Sequence, residues 1–382
     1  VNRAEKAFLK ELGDRWQSAT PGFCVQAFSK GKKCLDLQLG QTYPFYDFAS
    51  LTKVVFTTTA LMMLFDEKRF KLTDPVQKWV SWFPEKSVAP SSQAKVKNLL
   101  THSAGLNWWY PFYKKLAPLT TPGSDFVGGR RASRAGLSPE EAWSKFEKVL
   151  RARIGLDLKK QSPSAELKNT KAVYSDLDFF LLGSSLQEMT GVSLYENWQW
   201  VRERLDLPDT DFHRENRPAH ARRLYAPTEI CSFRKKTLQG EVHDENTWAL
   251  RGVAPHAGLF GTISDLSHWA LQLRKAKIKQ TNGAFASHET VELFSRRAVA
   301  RTRGDWALGF MLPTLGSASC GPLFSKSSFG HTGFTGTSVW LDPEKDLLIV
   351  LLSNRVHPTR ENREFVQLRP LIHTLIASAI TG

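Results

Sequence analysis

The sequence predicts an α+β fold, an antiparallel sheet sandwiched by helices. Three observations point there. "FCVQAFSKGKKCLDLQLGQ" (23–41) reads as two strands around a Lys30-Gly31 turn, and "TSVWLDPEKDLLIVLLSNR" (337–355) as strand, turn and strand. Between these two β-rich ends lies a long, mostly helical middle. Strands at both chain ends, with helices between them, imply one sheet assembled from the two ends and a helical region inserted into it. The expected division is 1–48 and 300–382 for the sheet region and 49–299 for the helical one.

The elements follow in order. Residues 3–19 form a first helix. "FASLTKVVFTTTALMMLF" (48–65) opens a helix over 50–69 that is apolar on nearly every face, hence buried from several sides. "VKNLLTHSAGL" (96–106) is a short helix running into a Gly-containing loop. Residues 107–137, first aromatic and then turn-rich and basic, are expected to form a long surface loop. Ser138 and Glu141 make a capping box, with Pro139 at the first helical position. Further helices cover 175–191, stopped at Gly191, then 264–277 and 361–380.

With 382 residues, 41% of them hydrophobic, the chain can bury a large core. Its formal charge of +15 is scattered and accompanies no nucleic-acid signature, so a nucleic-acid partner is not expected. No run reaches a membrane span of roughly 18 to 20 apolar residues. Cys24, Cys34, Cys231 and Cys320 lack metal-ligand spacing. With a two-residue turn at 30–31, Cys24 and Cys34 face opposite sides and no bridge is expected. The first residue is Val1 and no signal peptide is present, so a leader removed on export, or trimmed, is the expectation.

Chemistry concentrates at Ser50 and Lys53. Three residues apart on a helix, they share a face. Ser50 sits in the first turn, where free N–H groups favour developing negative charge. A serine needs an adjacent base to become a nucleophile, and a lysine with its pKa lowered by burial can serve. Ser29, Ser92 and Ser232 also begin a Ser-x-x-Lys, but only Ser50 opens a long apolar helix. "VYSDLDFFLLG" adds Tyr174 and Asp176 before another apolar helix. "SFGHTGFTGTSVWL" adds His331, Thr332 and Gly333 at a strand start, where glycines let backbone approach a ligand.

In this order, the three motifs resemble those of the serine penicillin-binding protein and β-lactamase superfamily, in particular its class C and esterase branch. That branch has Ser-x-x-Lys, Tyr-x-Asn, and Lys-Thr-Gly or His-Thr-Gly. "LLTHSAGL" (99–106) and "GEVHDENTWALRGVAPHAGLFGTISDL" (240–266) are similar to family segments as well. No Gly-x-Ser-x-Gly elbow occurs, against an α/β-hydrolase.

The resemblance implies a β-lactamase/transpeptidase-like fold and acyl transfer through an acyl-enzyme. Ser50 would attack a carbonyl, with Lys53 and Tyr174 sharing the proton work. The N–H groups of Ser50 and Phe334 would hold the oxyanion, and His331, Thr332 and Gly333 would face the substrate. No cofactor is implied. The expected partner is a small-molecule or peptide substrate, with D-Ala-type peptidoglycan peptides first and carboxyl esters next. A non-catalytic basic module that holds cell wall or another polyanion is the other reading.

Two residues depart from the family pattern. Asp176 stands where the family has Asn and would keep Lys53 protonated, which makes Tyr174 the expected base, its pKa lowered by Lys53. His331 stands where the family often has Lys and would weaken carboxylate recognition. His243, Asp244, Glu245 and His256 fit no standard zinc spacing, and no metal is expected. His102 is expected to fix a loop. Trp108, Trp109 and Tyr110 are candidates for a cleft wall.

Overall fold

The computed structural model describes residues 3–84, 89–120, 137–162, 166–212, 219–280 and 283–381. Five antiparallel strands form its main sheet: β1 (Gly22–Ser29), β2 (Lys32–Gly40), β3 (Phe329–Thr332), β4 (Ser338–Asp342) and β5 (Leu347–Ser353). Their spatial order is β2-β1-β5-β4-β3. The two chain ends meet where β1 pairs with β5, Val25 opposite Leu351. The expected α+β sandwich is therefore what the chain forms.

Side-chain alternation explains the layering. In β1, Phe23, Val25 and Ala27 enter one core, as do Leu347, Ile349 and Leu351 of β5. Cys24 and Phe28, with Leu348, Val350 and Leu352, enter the other. Successive residues point to opposite faces, so a strand buried on both sides reads as a continuous apolar run. The first face is covered by α1 (Arg3–Leu12) and the last helix, Glu364–Thr381, through Phe8, Leu12, Phe365 and Ile372. The second face packs on the helical middle. A buried Leu, Val or Ile contributes about 1.5–3 kcal/mol, against about 0.2–1 kcal/mol for an exposed ion pair. The two cores, not the charged surface, therefore hold the sheet in place.

Local chemistry sets the boundaries. The first helix ends at Leu12, short of the expected 19, because Gly13 takes a left-handed φ of +54°. The β1–β2 turn has Lys30 at φ +52° and Gly31 at φ +74°, the geometry that matches strand twist in a two-residue hairpin. A bulge between Ala27 and Phe28 leaves Cys34 between the paired residues Lys33 and Leu35, and Cys24 and Cys34 form no disulfide with one another. Residues 113–120, expected to be loop, form a short helix, Tyr113–Thr120. The rest of the expected loop, 121–136, lies outside the described residues.

Three helices matter for the site. The Ser50 helix begins at Leu51, runs as a π-helix over Lys53–Thr58 and continues as α2 (Thr59–Asp66). Every residue from Lys53 to Leu64 is buried. The π segment widens the helix beside the Lys53 side chain; such bulges often mark functional positions. The helix α3 (Pro139–Leu158) opens on the expected capping box, with Glu141 N–H donating to Ser138 Oγ at 3.2 Å. The helix α4 (Asp176–Thr190) is capped by Ser175 and stopped by Gly191 at φ +75°. Among the described residues, no helix is long and apolar enough to cross a membrane.

Candidate active site

Ser50 stands on a strained entry. Ala49, just before it, has φ +48°, a left-handed conformation rare for a residue with a Cβ. The buried Asp47 carboxylate holds it there by accepting Ala49 N–H and His243 N–H, each at 2.8 Å. Strain of this kind persists only where the surroundings over-determine it.

The side chains converge on Lys53. Its Nζ donates to Ser50 Oγ at 3.2 Å, to Tyr174 OH at 2.6 Å and to Asp176 Oδ1 at 2.7 Å. Tyr174 OH donates to Ser50 Oγ at 2.8 Å. A residue from the start of one helix thus meets two from the start of α4, more than 120 positions away.

Lys53 is fully buried. Burial, the largest single influence, disfavours its ammonium, but Asp176 and Tyr174 outweigh burial and leave Lys53 above its ordinary pKa. Asp176 thus holds the amine protonated, as the sequence suggested. The companion expectation, a depressed Tyr174, does not hold. Burial raises the phenol, Lys53 lowers it and Asp176 raises it again, with a net rise. In the resting site the phenol is neutral, accepting from Lys53 and donating to Ser50.

The strand wall is built differently. Thr335 Oγ1 donates to Asp47 O at 2.8 Å and Thr337 Oγ1 to Phe48 O at 3.0 Å, which ties the β3–β4 turn to the residues entering Ser50. A Cβ on Gly333 would overlap Thr337 Oγ1 and press on Phe48 O, so the approach needs glycine. Arg369, buried on the last helix, donates from Nη1 to Gly333 O at 3.3 Å and to Thr337 O at 3.1 Å. Gly333 O and Phe334 N–H share one peptide and point opposite ways. Holding the carbonyl against Arg369 therefore aims the N–H away from it. Arg355 Nε fixes Phe334 O at 2.9 Å. Among the described residues, neither Ser50 N–H nor Phe334 N–H has a hydrogen-bond acceptor.

A cleft of about 520 Å³ joins the two walls, lined by Ser50, Tyr174, His331, Thr332, Gly333 and Phe334 among others. His331 is 1% exposed, its Nδ1 at 2.8 Å from Thr332 O and its Nε2 without a partner among the described residues. Burial, then Lys53, pushes its pKa down to about 3, so it is neutral. Trp108, Trp109 and Tyr110 are not among the residues lining this cleft. Trp108 is 62% exposed and stacks on Trp109, and Tyr110 packs on Phe112 and under Arg153. Trp108 O accepts Asp176 N–H at 2.9 Å, which links the run to the site. In their place Trp306, Met311, Arg355, Arg363 and Arg369 line the cleft. Nothing in the local sequence around these residues signals this.

His102 does fix a loop. Its O accepts Val173 N–H at 2.8 Å and its Nδ1 lies 3.1 Å from Ser175 N, so it brackets Tyr174. Among the described residues, Asp176, Asp244 and His256 group as metal ligands would. Each already has a partner: Lys53 for Asp176, and Asp244 and His256 for one another at 3.2 Å. Protonated Lys53 already neutralises the Asp176 carboxylate.

A family model described as Beta-lactamase matches residues 20–369. The chain belongs to the beta-lactamase family. It is a serine hydrolase of that family, as the order of its three motifs implied. Relatives include an N-acetylmuramyl-L-alanine amidase of Bacillus subtilis (strain 168), 29% identical over 83% of this chain and 69% of its own. A putative D-alanyl-D-alanine carboxypeptidase of Escherichia coli (strain K12) is 27% identical over 82% of this chain and 69% of its own. Among solved structures, EstCE1, a hydrolase with promiscuous acyltransferase activity, superposes at TM-score 0.65, 19% identical, covering 97% of this chain and all of its own. A D-stereospecific amidohydrolase from Streptomyces sp. superposes at 0.63, 17% identical, covering 97% of this chain and 98% of its own. At those identities the structural likeness speaks for the shared fold.

Proposed function

We propose that this beta-lactamase-family protein cleaves amide bonds of D-alanine-type wall peptides through an acyl-enzyme on Ser50. The observation that carries the reading is the approach of Ser50 Oγ to Tyr174 OH, 2.8 Å, and to Lys53 Nζ, 3.2 Å. Both lie within or just at the reach proton transfer needs. As Ser50 attacks, the Lys53 ammonium gives a proton to Asp176, the phenol turns its O–H from Ser50 to the freed amine and passes its proton there, and the Ser50 proton passes to the phenol oxygen. Ser50–acyl forms, the carbonyl becomes an oxyanion under the N–H groups of Ser50 and Phe334, and the returning proton leaves on the amine. Water then repeats the sequence against the acyl-enzyme. Each preorganised oxyanion donor is worth about 3–4 kcal/mol of barrier.

The names borne by the amidase and carboxypeptidase relatives support an amide of the wall over other acyl groups. With such a substrate the protein acts outside the cytoplasm, where a charge of +15 favours an anionic wall. A carboxyl ester is the second reading, favoured by the neutral His331 where a cation would hold a substrate carboxylate. The test is labelling by a fluorescent penicillin and by a fluorophosphonate, with Ser50→Ala as control. Labelling of wild type alone is expected. Failure of both reagents on wild type overturns the enzyme reading in favour of a binding module, and labelling by the fluorophosphonate alone favours the ester.

A further inference from the structure

A second concavity, of about 530 Å³, shares no lining residue with the Ser50 cleft. Five of its fifteen lining residues are Lys or Arg and none is Asp or Glu, in a chain with 52 basic and 37 acidic residues among 382. The cations come from separate segments: Lys95 and Lys97 around the short helix Val96–Leu100, and Arg296, Arg297 and Arg303 from the stretch after helix His288–Ser295. Like charges gathered in a concave site repel unless an anion joins them, and such a site focuses its field.

Two of the five are held in place. Arg297 donates to Gly304 O at 2.8 Å and Asp305 Oδ1 at 2.6 Å, and Arg303 to Thr170 O at 2.7 Å and Leu167 O at 3.2 Å. The other three, Lys95, Lys97 and Arg296, are exposed and in no ion pair among the described residues. Glu292, the carboxylate beside Arg296, is already taken by Lys277. The lining also holds polar side chains, with Asn98 Nδ2 donating to Ser103 Oγ at 3.1 Å and Ser103 Oγ lying 2.8 Å from Thr101 Oγ1. Leu72, Leu293 and Leu308 supply an apolar flank.

We propose that this pocket binds a small, multiply charged oxyanion of the phosphate or diphosphate-ester class, apart from the Ser50 cleft. The volume lies in the small-ligand range. Three exposed cations outside any ion pair among the described residues suit more charge than one carboxylate carries, and tetrahedral oxyanions offer several acceptors to converging Lys and Arg donors. The pocket also backs onto the segment carrying Tyr174: Arg303 O accepts Ala172 N–H at 2.7 Å, and Thr101 and Ser103 flank His102.

Titration calorimetry with inorganic pyrophosphate at fixed ionic strength tests this. Wild type should bind one pyrophosphate per chain, and Lys97→Glu/Arg296→Glu should bind at least about tenfold more weakly, the equivalent of about 1.4 kcal/mol. Lys6→Glu/Lys10→Glu, an equal charge change on α1, should keep wild-type affinity. Penicillin labelling reports whether each variant is folded; should the double variant fail, Arg296→Gln at its exposed position takes its place. No binding by wild type, or equal weakening in the pocket and α1 variants, overturns the proposal in favour of a diffuse surface field.

Discussion

The two walls of the Ser50 cleft use opposite electrical means. The helical wall is charged: a buried ammonium, a carboxylate and a phenol linked by hydrogen bonds of 2.6 to 3.2 Å. The strand wall offers the cleft an uncharged imidazole and a backbone N–H, and two of its arginines, Arg355 and Arg369, hold backbone carbonyls in place. A wall that moves protons needs groups whose charge can change. A wall that holds an oxyanion needs dipoles that cannot turn.

Breaking the helical wall should cost most. Ser50→Ala should reduce acyl-enzyme formation to background, a loss on the order of a millionfold when a nucleophile of a concerted set is removed, read by burst-phase labelling. Tyr174→Phe should lower the acylation rate by about 10²–10⁴. Near-wild-type acylation in that variant would remove Tyr174 from the proton path. On the strand wall, Arg369→Met frees the Gly333–Phe334 peptide to turn. Acylation kcat should fall by up to about 10²–10³, the worth of one oxyanion donor, with KM little changed; a change confined to KM would refute the positioning role.

Two milder experiments sharpen the contrast through pH. Asp176→Asn removes the influence that lifts Lys53 and leaves burial to lower it. Lys53 then loses its proton at lower pH, so the basic limb of kcat/KM should move to lower pH, whereas an unmoved basic limb would mean that Lys53 does not report on it. Stability should respond on the neutral side. His331 and His373 are pushed down to about 3 by burial, and His102 lies well below its usual value. In the unfolded chain these imidazoles protonate below about 6.5, so stability should be full above that pH and fall as pH drops from 6.5 toward 3. Asp178, raised well above its ordinary value by burial and then by Asp176, opposes this, because its contribution runs the other way. Urea midpoints at pH 7, 6 and 5 read the sum.

Much of the fold was legible because its signals are local. The apolar runs in 23–29 and 347–353, the Lys-Gly turn, the Ser138 capping box and Gly191 each act within a few residues, and each element formed where the pattern put it. The motifs of the site were legible too, since Ser50 and Lys53 need only a helix to meet. The role of the aromatic run was not legible, because a row of Trp and Tyr has the same composition whether it lines a cleft or packs beside one. Arg369 was missed because it sits on a helix far along the chain, and its partners are backbone carbonyls, which carry no sequence signature.

By itself the sequence determined the class of fold and, through the resemblance of its three ordered motifs, the family and the candidate site residues, since strands, turns and motifs are written locally along the chain. Only the tertiary structure decided their charge states: that Asp176 overrides burial at Lys53, that burial overrides Lys53 at Tyr174, and that His331 is dry. The reason is physical. A pKa is set by solvent exclusion and by charges a few ångströms away, and here those charges come from residues more than a hundred positions apart.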